Sequence, residues 1–312
     1  MFVMQVNKSA CSKCYSCISI CANSNVLVQD TEGYPKYENI HKCISCGHCI
    51  AICPNNALSV INVDTSDQEG YMAKGMPLSP VEIESEALFQ AICGIRSDRF
   101  YEAKEVEEFK IRKIIDAMVL SPSAGNEQNR SYHVFSDAGT IRAMETDLDK
   151  ENEKTKKIVN NPLIKMGLKN ALEKNCRVAY EKYNRIPSTG EIERKVEDTI
   201  RELTLKRDDF FLKKAPVLIF AKSDISKKGM HKDFYKSDVE IALTYGTIIA
   251  HSLGLSSCRL GLAEIMINRS KALREKYFVG KNERINGILA VGYSNTKWYR
   301  IPPRGPAKVT YN

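Results

Sequence analysis

Apolar residues recur at helical spacing in three parts of the chain, and each part is predicted to form a helix. The first helix starts with a capping box, in which Ser79 precedes Pro80 and Glu82, and it ends at Gly94. The second covers residues 104–120. Its predicted apolar face comprises Val106, Phe109, Ile114, Ile115, Met118 and Val119. The third covers residues 238–253, ends at Gly254, and is apolar enough to lie in a core or in a subunit interface.

Short runs of branched and aromatic residues predict strands at 132–135, 216–221 and 288–291. Because helices and strands do not alternate regularly, the expected fold class is α+β. The long segment between the first two strands, within residues 140–215, is charged and mostly helical in pattern. A lid over a binding site is one use for such a segment.

The first 63 residues lack these patterns, and residues 64–79 are polar, which is typical of a linker. Two domains are therefore expected, at residues 1–63 and 80–312, as the length of 312 residues also suggests. No apolar run approaches the roughly 20 residues that a membrane helix needs. The first ten residues show no secretory signal, so a cytoplasmic protein with no membrane partner is expected.

Eight of the eleven cysteines lie in the first 53 residues, in two runs of identical spacing. The runs are Cys11, Cys14, Cys17 and Cys21, then Cys43, Cys46, Cys49 and Cys53. A shift of 32 residues superposes them together with neighbouring apolar residues, so the segment is an internal duplication. The other cysteines and the five histidines form no ligand pattern.

The spacing of each run suits a 4Fe–4S cluster, in which three thiolates wrap one cube and the fourth reaches the other cube. The first cluster would take Cys11, Cys14, Cys17 and Cys53, and the second Cys43, Cys46, Cys49 and Cys21. Zinc, which needs four ligands per site, and a disulfide framework are the alternatives. Residues 5–62 resemble the bacterial two-cluster ferredoxins, although Ala22 stands where that family usually repeats the proline seen at Pro54.

Two later segments carry groups that can bind a phosphorylated heterocycle. In the first, Arg96, Ser97 and Arg99 offer guanidinium and hydroxyl donors that suit a phosphate monoester. The second, Pro122 to Gln128, offers amides that can face a planar ring. A solvated turn and a helix C-cap are the alternatives for these segments. Neither a Rossmann nor a P-loop fingerprint is present, and no residue presents itself as an obligatory acid or base, so the catalytic residues are unknown.

With the stretch from Gly254 to Gly261 and the one from Pro302 to Pro306, these segments make residues 86–312 similar to the FMN-dependent nitroreductases. The resemblance implies that FMN is bound by Arg96, Ser97, Arg99, Ser123, Asn126, Gln128, Leu260, Gly261 and Arg304. It also implies a domain with a central mixed sheet flanked by helices, and a homodimer with the flavins at its interface. This chain departs from the family at Ile95, where an arginine is common, and at Asn129 and Arg130, where Pro-Trp is common.

The formal charge of +8 is reduced by two clusters of about −2 each and by a flavin phosphate of about −2, so nucleic acid is not an expected partner. The cysteine spacing, together with the resemblance to the FMN-dependent nitroreductases, predicts an FMN-dependent oxidoreductase in which two 4Fe–4S clusters relay electrons to FMN. The expected acceptor is a nitroaromatic, a quinone, a flavin or a similar electron-poor molecule. The expected donor is a one-electron carrier such as ferredoxin or flavodoxin; NAD(P)H and the reverse electron flow are alternatives. The rival function is an electron-transfer protein that docks into a larger redox complex without turning over a small substrate.

Overall fold

The computed structural model describes residues 4–23, 25–60, 82–159, 170, 173–174, 188, 190–195, 210–226, 233–302 and 307–311. Residues 4–60 form two small antiparallel sheets and two short helices around an apolar centre that includes Val26, Leu27 and Leu58. The elements are β1 (Met4–Val6), α1 (Ser16–Ser19), β2 (Leu27–Gln29), β3 (Pro35–Tyr37), α2 (His48–Ala51) and β4 (Leu58–Val60). Strand β1 pairs with β4, and β2 pairs with β3.

The duplication in the sequence recurs in the backbone. Helix α2 follows α1 after 32 residues, and the left-handed residues before each helix recur at the same interval. Lys13 and Ser45 have φ values of 54° and 55°, and Tyr15 and Gly47 have φ values of 61° and 75°. The two cysteine-bearing loops therefore share one conformation, which confirms the predicted duplication.

From residue 82 onward the described elements form one four-stranded sheet with helices on both faces. They are α3 (Ser85–Gly94), α4 (Glu108–Leu120), β5 (Ser131–Phe135), α5 (Ala138–Val159), β6 (Val217–Asp224), α6 (Tyr235–Ser252), β7 (Ser256–Arg259), α7 (Gly261–Arg269), α8 (Lys271–Lys276) and β8 (Glu283–Gly292). The strand order is β5-β6-β8-β7, and every neighbouring pair is antiparallel. Parallel pairing enters the described sheet through a single bridge between Ser97 and Ser257 at the β7 edge.

The central strands β6 and β8 are apolar on both faces because helices cover both. Val217 and Ile219 belong to the core shared with α4 and α6, whereas Leu218 and Phe220 belong to the core shared with α5 and α7. Helix α6 lies close to its neighbours. A Cβ added at Gly246 would lie 2.8 Å from Met118 Cγ on α4, so this crossing requires glycine.

The three predicted strands are confirmed, with somewhat longer bounds, and so are the helix at 238–253 and its end at Gly254, which has a φ of +74°. The predicted start of the first helix is wrong in part, because the helix begins at Ser85 and Glu82 lies before it; Ser79 and Pro80 lie outside the described residues.

The second helix begins at Glu108, not at residue 104, and its predicted face is corrected. The buried residues of α4 are Ile111, Ile114 and Met118, whereas Phe109 is 63% exposed and Val119 is 38% exposed. At 3.6 residues per turn Phe109 lies on the side of the helix opposite Ile111, so it points away from α6. None of the described helices is long and apolar enough to cross a membrane.

Candidate functional site

The eight cysteines of the duplicated runs surround two separate cavities. The first cavity is lined by Cys11, Cys14, Cys17 and Cys53. The second cavity is lined by Cys21, Cys43, Cys46 and Cys49. The structure therefore brings together the two crossed sets, since the fourth cysteine of each run joins the other run. Among the described residues, no group of three or more His, Cys, Asp or Glu side chains could hold a single metal ion.

The surroundings of these thiols suit an iron–sulfur cluster. Backbone amides donate hydrogen bonds to two of the sulfurs, from Ala57 to Cys53 Sγ at 3.2 Å and from Ser45 to Cys43 Sγ at 3.4 Å. Burial raises the pKa of the Cys49 thiol to about 11 and also raises the pKa of Cys17. A metal centre that coordinates a thiol removes its proton, so the raised pKa of the thiols without metal is compatible with a ligand role.

The turn after α3 carries Arg96, Ser97 and Arg99 and is fixed by the buried residue between them. Asp98 is completely buried; its carboxylate accepts hydrogen bonds from the Phe100 amide at 3.0 Å and from the Ser294 hydroxyl. Its own amide donates to the carbonyl of Ser257 on β7 at 3.1 Å. The pattern of the sequence drew attention to the arginines and missed Asp98, which sets the shape of the turn.

Both arginines of this turn lie near the surface, Arg96 half-buried and Arg99 exposed. Each guanidinium donates one hydrogen bond to its own backbone, from Arg96 Nη1 to the Ile95 carbonyl at 2.5 Å and from Arg99 Nη1 to the Ser97 carbonyl at 3.0 Å. A guanidinium has five N–H groups, so each can also bind phosphate oxygens. Arg304, the third predicted arginine, lies outside the described residues.

The loop between α4 and β5 holds three residues in the left-handed region. These are Gly125, Asn126 and Gln128, with φ values of 58°, 53° and 47°. For a glutamine this conformation costs roughly 1–2 kcal/mol, and such backbone strain concentrates at ligand sites. The Ser123 hydroxyl accepts a hydrogen bond from the Gln128 amide at 3.0 Å, which closes the loop on itself.

Residues that follow this loop hold its base in place, and the resemblance did not reveal their role. The Arg130 guanidinium donates to the carbonyl of Ser121 at 2.9 Å, and the side chain of Asn129 forms two hydrogen bonds with the backbone of Asp224 at 2.8 and 3.1 Å. The buried carboxylate of Asp238 on α6 accepts from the Ala124 amide at 3.2 Å. The departure from Pro-Trp at residues 129–130 was the signal for this arrangement.

Leu260 and Gly261 join β7 to α7 and differ in what they offer a ligand. Both backbone groups of Leu260 are bonded, its amide to the Ile288 carbonyl at 3.0 Å and its carbonyl to the Glu264 amide at 3.1 Å. Gly261 is the first residue of α7, so its amide is one that a helix leaves without an internal partner. No atom lies within 4 Å of the position that a Cβ on Gly261 would take.

The two ends of β7 match the two ends of an elongated ligand. Ser97 bridges to Ser257, and Gly261 lies four residues further along the chain. At about 3.3 Å per residue of extended chain, four residues span at most about 13 Å from Ser257 to Gly261. A separation within this limit suits a phosphate at one end and a ring at the other.

The loop of residues 121–130 also contacts the N-terminal domain. Asn126 Nδ2 donates to the carbonyl of Ser45 at 2.8 Å and to the carbonyl of Ile44 at 3.2 Å. Ile44 and Ser45 lie between two cysteines of the second set and line its cavity. The loop of residues 121–130, which we call the candidate flavin loop, therefore lies next to the second cysteine cavity.

The remaining cysteines lie apart from these groups in the described residues. Cys258 is buried in the core beside α7, and Cys93 is half-buried at the end of α3, whereas Cys176 lies outside the described residues. Burial raises the pKa of the Cys258 thiol, as expected for a small apolar core residue.

Comparison with protein families gives two matches. Residues 94–293 match the nitroreductase family, and residues 3–54 match the 4Fe-4S dicluster domain. The first match covers well over half of the chain. No curated protein matches the chain.

Comparison with solved structures gives matches to flavoproteins, among them the following three. A BluB-like flavoprotein from Clostridium difficile 630 has a TM-score of 0.51 at 17% identity, over 70% of this chain and 94% of that one. A nitroreductase with bound FMN from Bacteroides fragilis NCTC 9343 has a TM-score of 0.49 at 14% identity, over 72% of this chain and 98% of that one. An FMN-dependent nitroreductase from Clostridium difficile R20291 has a TM-score of 0.40 at 21% identity, over 67% of this chain and 89% of that one. The first of these shares its fold with the chain.

Proposed function

The chain belongs to the nitroreductase family and carries a 4Fe-4S dicluster domain at its N-terminal end, and from this we propose that it is an FMN-dependent oxidoreductase. In this proposal the two 4Fe–4S clusters relay electrons to FMN, which reduces an electron-poor small molecule such as a nitroaromatic, a quinone or a flavin. The proposed domain limits are residues 1–63 and 80–312, with a linker at 64–79.

The observation that carries the proposal is the hydrogen bond from Asn126 to Ser45. It joins a loop of the flavin domain to the loop that bears the second set of cysteines. A chain that only stored iron–sulfur clusters beside an unrelated enzyme would have no need of this contact. Because electron transfer requires centres that lie near each other, the contact supports a relay within one chain.

The proposed FMN site uses residues at both ends of β7. Arg96, Ser97 and Arg99 bind the phosphate, with Arg304 as a further candidate from outside the described residues. The amide of Gly261 donates to the ring, since the amide of Leu260 is already bonded and its side chain is buried beneath the site. Ser123, Asn126 and Gln128 form the wall beside the ribityl chain. When bound, FMN accepts electrons singly and delivers them as a pair.

A homodimer is proposed because α3 carries apolar side chains on its surface. Leu88, Phe89 and Ile92 are all exposed, and no residue of α3 is buried. Ile241 and Tyr245 on α6 are exposed as well. Apolar surface of this kind marks a protein interface, and α3 packs on α6 within the chain, so the two helices offer one continuous face. The proposed electron donor is ferredoxin or flavodoxin, with NAD(P)H as the alternative.

The test is turnover by the protein purified anaerobically, with reduced ferredoxin as donor and a nitroaromatic as acceptor. We expect about eight irons and one FMN per chain, and steady consumption of the nitro compound. Cys46→Ala, which removes an exposed ligand of the second cluster, is expected to abolish ferredoxin-driven turnover. Reduced clusters and flavin without any turnover would favour the rival function, an electron-transfer protein that docks into a larger redox complex.

A further inference from the structure

We propose that the cluster held by Cys21, Cys43, Cys46 and Cys49 is the one that passes electrons to FMN, and that Asn126 is the residue that holds the two centres together. The cluster held by Cys11, Cys14, Cys17 and Cys53 then lies one step further from the flavin. This inference rests on the proposed function for the presence of FMN and clusters. It adds the order of the centres and the junction between them.

A chain of hydrogen bonds leads from the candidate flavin loop to a cysteine ligand. Gln128 Nε2 donates to Asn126 Oδ1 at 3.2 Å, and Asn126 Nδ2 donates to the Ser45 carbonyl at 2.8 Å. The amide of Ser45 donates in turn to Cys43 Sγ at 3.4 Å. Ser45 therefore connects to the flavin loop through its carbonyl and to a ligand of the second cluster through its amide.

The left-handed conformation of two residues makes this junction possible. Ser45 has a φ of 55°, and Asn126 has a φ of 53°. Asparagine tolerates this region better than most residues. Each residue is thus held in a conformation that a regular helix or strand does not provide, and such strain is a feature of functional contacts.

The duplicated position in the first run is arranged differently. Lys13 corresponds to Ser45 and has nearly the same φ, yet its ammonium donates to the Glu32 carbonyl at 2.8 Å and lies 4.3 Å from the centre of the Tyr34 ring. These partners all belong to the N-terminal domain. Two hydrogen bonds run from residue 126 to residues 4–60, and both come from the Asn126 side chain. Within the described residues, these bonds connect the flavin domain to the loop of the second cysteine set.

With both clusters and FMN bound, two carriers of the ferredoxin class would each lose one electron, in succession, to the cluster held by the first cysteine set. Each electron would pass to the cluster held by the second set and then across the Ser45–Asn126 junction. FMN would gain both electrons together with protons from solvent. No bond within the protein is broken.

The first test measures the junction itself by hydrogen–deuterium exchange of the fully loaded protein. Asn126→Gly removes the side chain and keeps the left-handed backbone, and Asn126→Asp keeps the shape but presents carboxylate oxygens to two carbonyl oxygens. Loss of a hydrogen bond of ordinary strength is expected to speed amide exchange in residues 43–49 about tenfold in both variants. Exchange in residues 11–17 is expected to stay at the wild-type rate. Faster exchange in 11–17 alone, or no change in either segment, would overturn the proposal.

The second test follows electron arrival by anaerobic rapid mixing with reduced ferredoxin at saturating FMN. In Asn126→Gly the clusters are expected to bleach at the wild-type rate. The rate of flavin bleaching is expected to fall about tenfold, which corresponds to a barrier about 1.4 kcal/mol higher. The control is Lys13→Ala, at the duplicated position, which is expected to leave the delay between cluster and flavin unchanged. An equal delay between cluster and flavin bleaching in wild type and in both Asn126 variants would overturn the proposal that Asn126 holds the two centres together. Neither readout uses an organic acceptor, so failure of nitroaromatic turnover remains distinguishable from failure of this inference.

Discussion

The hydroxyl of Ser294 donates a hydrogen bond to the buried carboxylate of Asp98, although 196 residues separate them in the chain. Ser294 follows β8, the last strand, and Asp98 lies inside the arginine turn after α3. The same hydroxyl accepts a hydrogen bond from the Thr296 amide at 2.9 Å. This hydrogen bond thus connects the turn after α3 to the segment after β8, at the place where the phosphate is proposed to bind.

Replacement of Asp98 is therefore expected to affect stability and flavin affinity together. In Asp98→Ala the Phe100 amide and the Ser294 hydroxyl lose a charged acceptor, and a hydrogen bond to a charged group contributes about 1.5–3 kcal/mol. The Ser294 hydroxyl keeps the Thr296 carbonyl as an acceptor at 3.0 Å. We expect a lower free energy of unfolding in urea and weaker FMN binding in fluorescence titration. Glu108→Ala, at an exposed position on α4, is the control and should leave both quantities unchanged. Wild-type FMN affinity in Asp98→Ala would show that the turn does not need its anchor.

The arginines of this turn are expected to contribute directly to FMN affinity. Arg96→Ala and Arg99→Ala each remove a charge-assisted donor, which is worth about 1.5–3 kcal/mol, or roughly ten- to a hundredfold in Kd. Arg304→Ala is expected to behave in the same way. FMN titration of the apoflavin protein measures the effect, and iron analysis checks that the clusters stay intact. Arg269→Ala, on the exposed side of α7, is the comparison; unchanged affinity in all three variants would rule out the phosphate assignment.

The crossed sets of cysteines predict which cluster each substitution removes. Cys53 follows Cys49 in the sequence, yet it lines the cavity of Cys11, Cys14 and Cys17. Cys53→Ala is expected to damage the first cluster, and Cys21→Ala the second, each leaving about four of eight irons. Electron paramagnetic resonance of the reduced variants distinguishes the two clusters. If Cys53→Ala and Cys49→Ala lost the same signal, the crossed assignment would be wrong.

Two glutamates of the second domain are expected to respond to pH in opposite ways. Burial raises the pKa of Glu264, which is 9% exposed in the first turn of α7. Its contribution to stability is present below the pKa of the unfolded chain, about 4.3, and is lost as the pH rises through the folded pKa. Glu264→Gln is therefore expected to be more stable than wild type at pH 7, with a gain that shrinks toward pH 4.3.

Glu283 provides the matched comparison. Burial alone would raise its pKa, but the ammonium of Lys222, at 2.9 Å, and the Gly280 amide hold the pKa below its ordinary value. The stability that the Glu283 carboxylate provides is present above its pKa in the unfolded chain. It is lost as the pH falls through its pKa in the folded protein. Glu283→Gln is expected to cost about 2 kcal/mol at pH 7 and less in acid. The measurement is urea unfolding of both variants across this pH range. A change in the free energy of unfolding with the same sign for Glu264→Gln and Glu283→Gln at pH 7 would contradict the prediction.

The parts of the structure that the sequence predicts well are those set by short-range pattern. The spacing of Cys11, Cys14 and Cys17 leaves few ways to arrange three thiols, and the covalent chain keeps them close. Strands β6 and β8 are runs of branched residues buried on both sides, so their pattern is strong. Gly254 ends α6 in the left-handed region, where glycine has no steric penalty.

The remaining features depend on contacts that leave little trace in a single sequence. Strand β7 has the sequence Ser-Ser-Cys-Arg and owes its place to pairing with β8. Phe109 is apolar but faces away from α6, because the position of the neighbouring helix decides which side of α4 is buried. The Asn126–Ser45 contact uses a backbone carbonyl, which every residue has, so no residue type marks it.

The duplicated halves of the N-terminal domain also differ at the residue that follows the second cysteine of each run. Tyr15 lines the first cavity, whereas its counterpart in the second is Gly47, with no atom within 4 Å of where a Cβ would be. Adding an electron adds negative charge, which water stabilises, so the centre screened by a tyrosine ring accepts the electron less readily. We expect the first cluster to have the lower midpoint potential, and Tyr15→Gly to narrow the gap in a redox titration. Electron transfer from the first cluster to the second would then be downhill. The difference between Tyr15 and Gly47 in two otherwise similar loops would set the direction of that transfer.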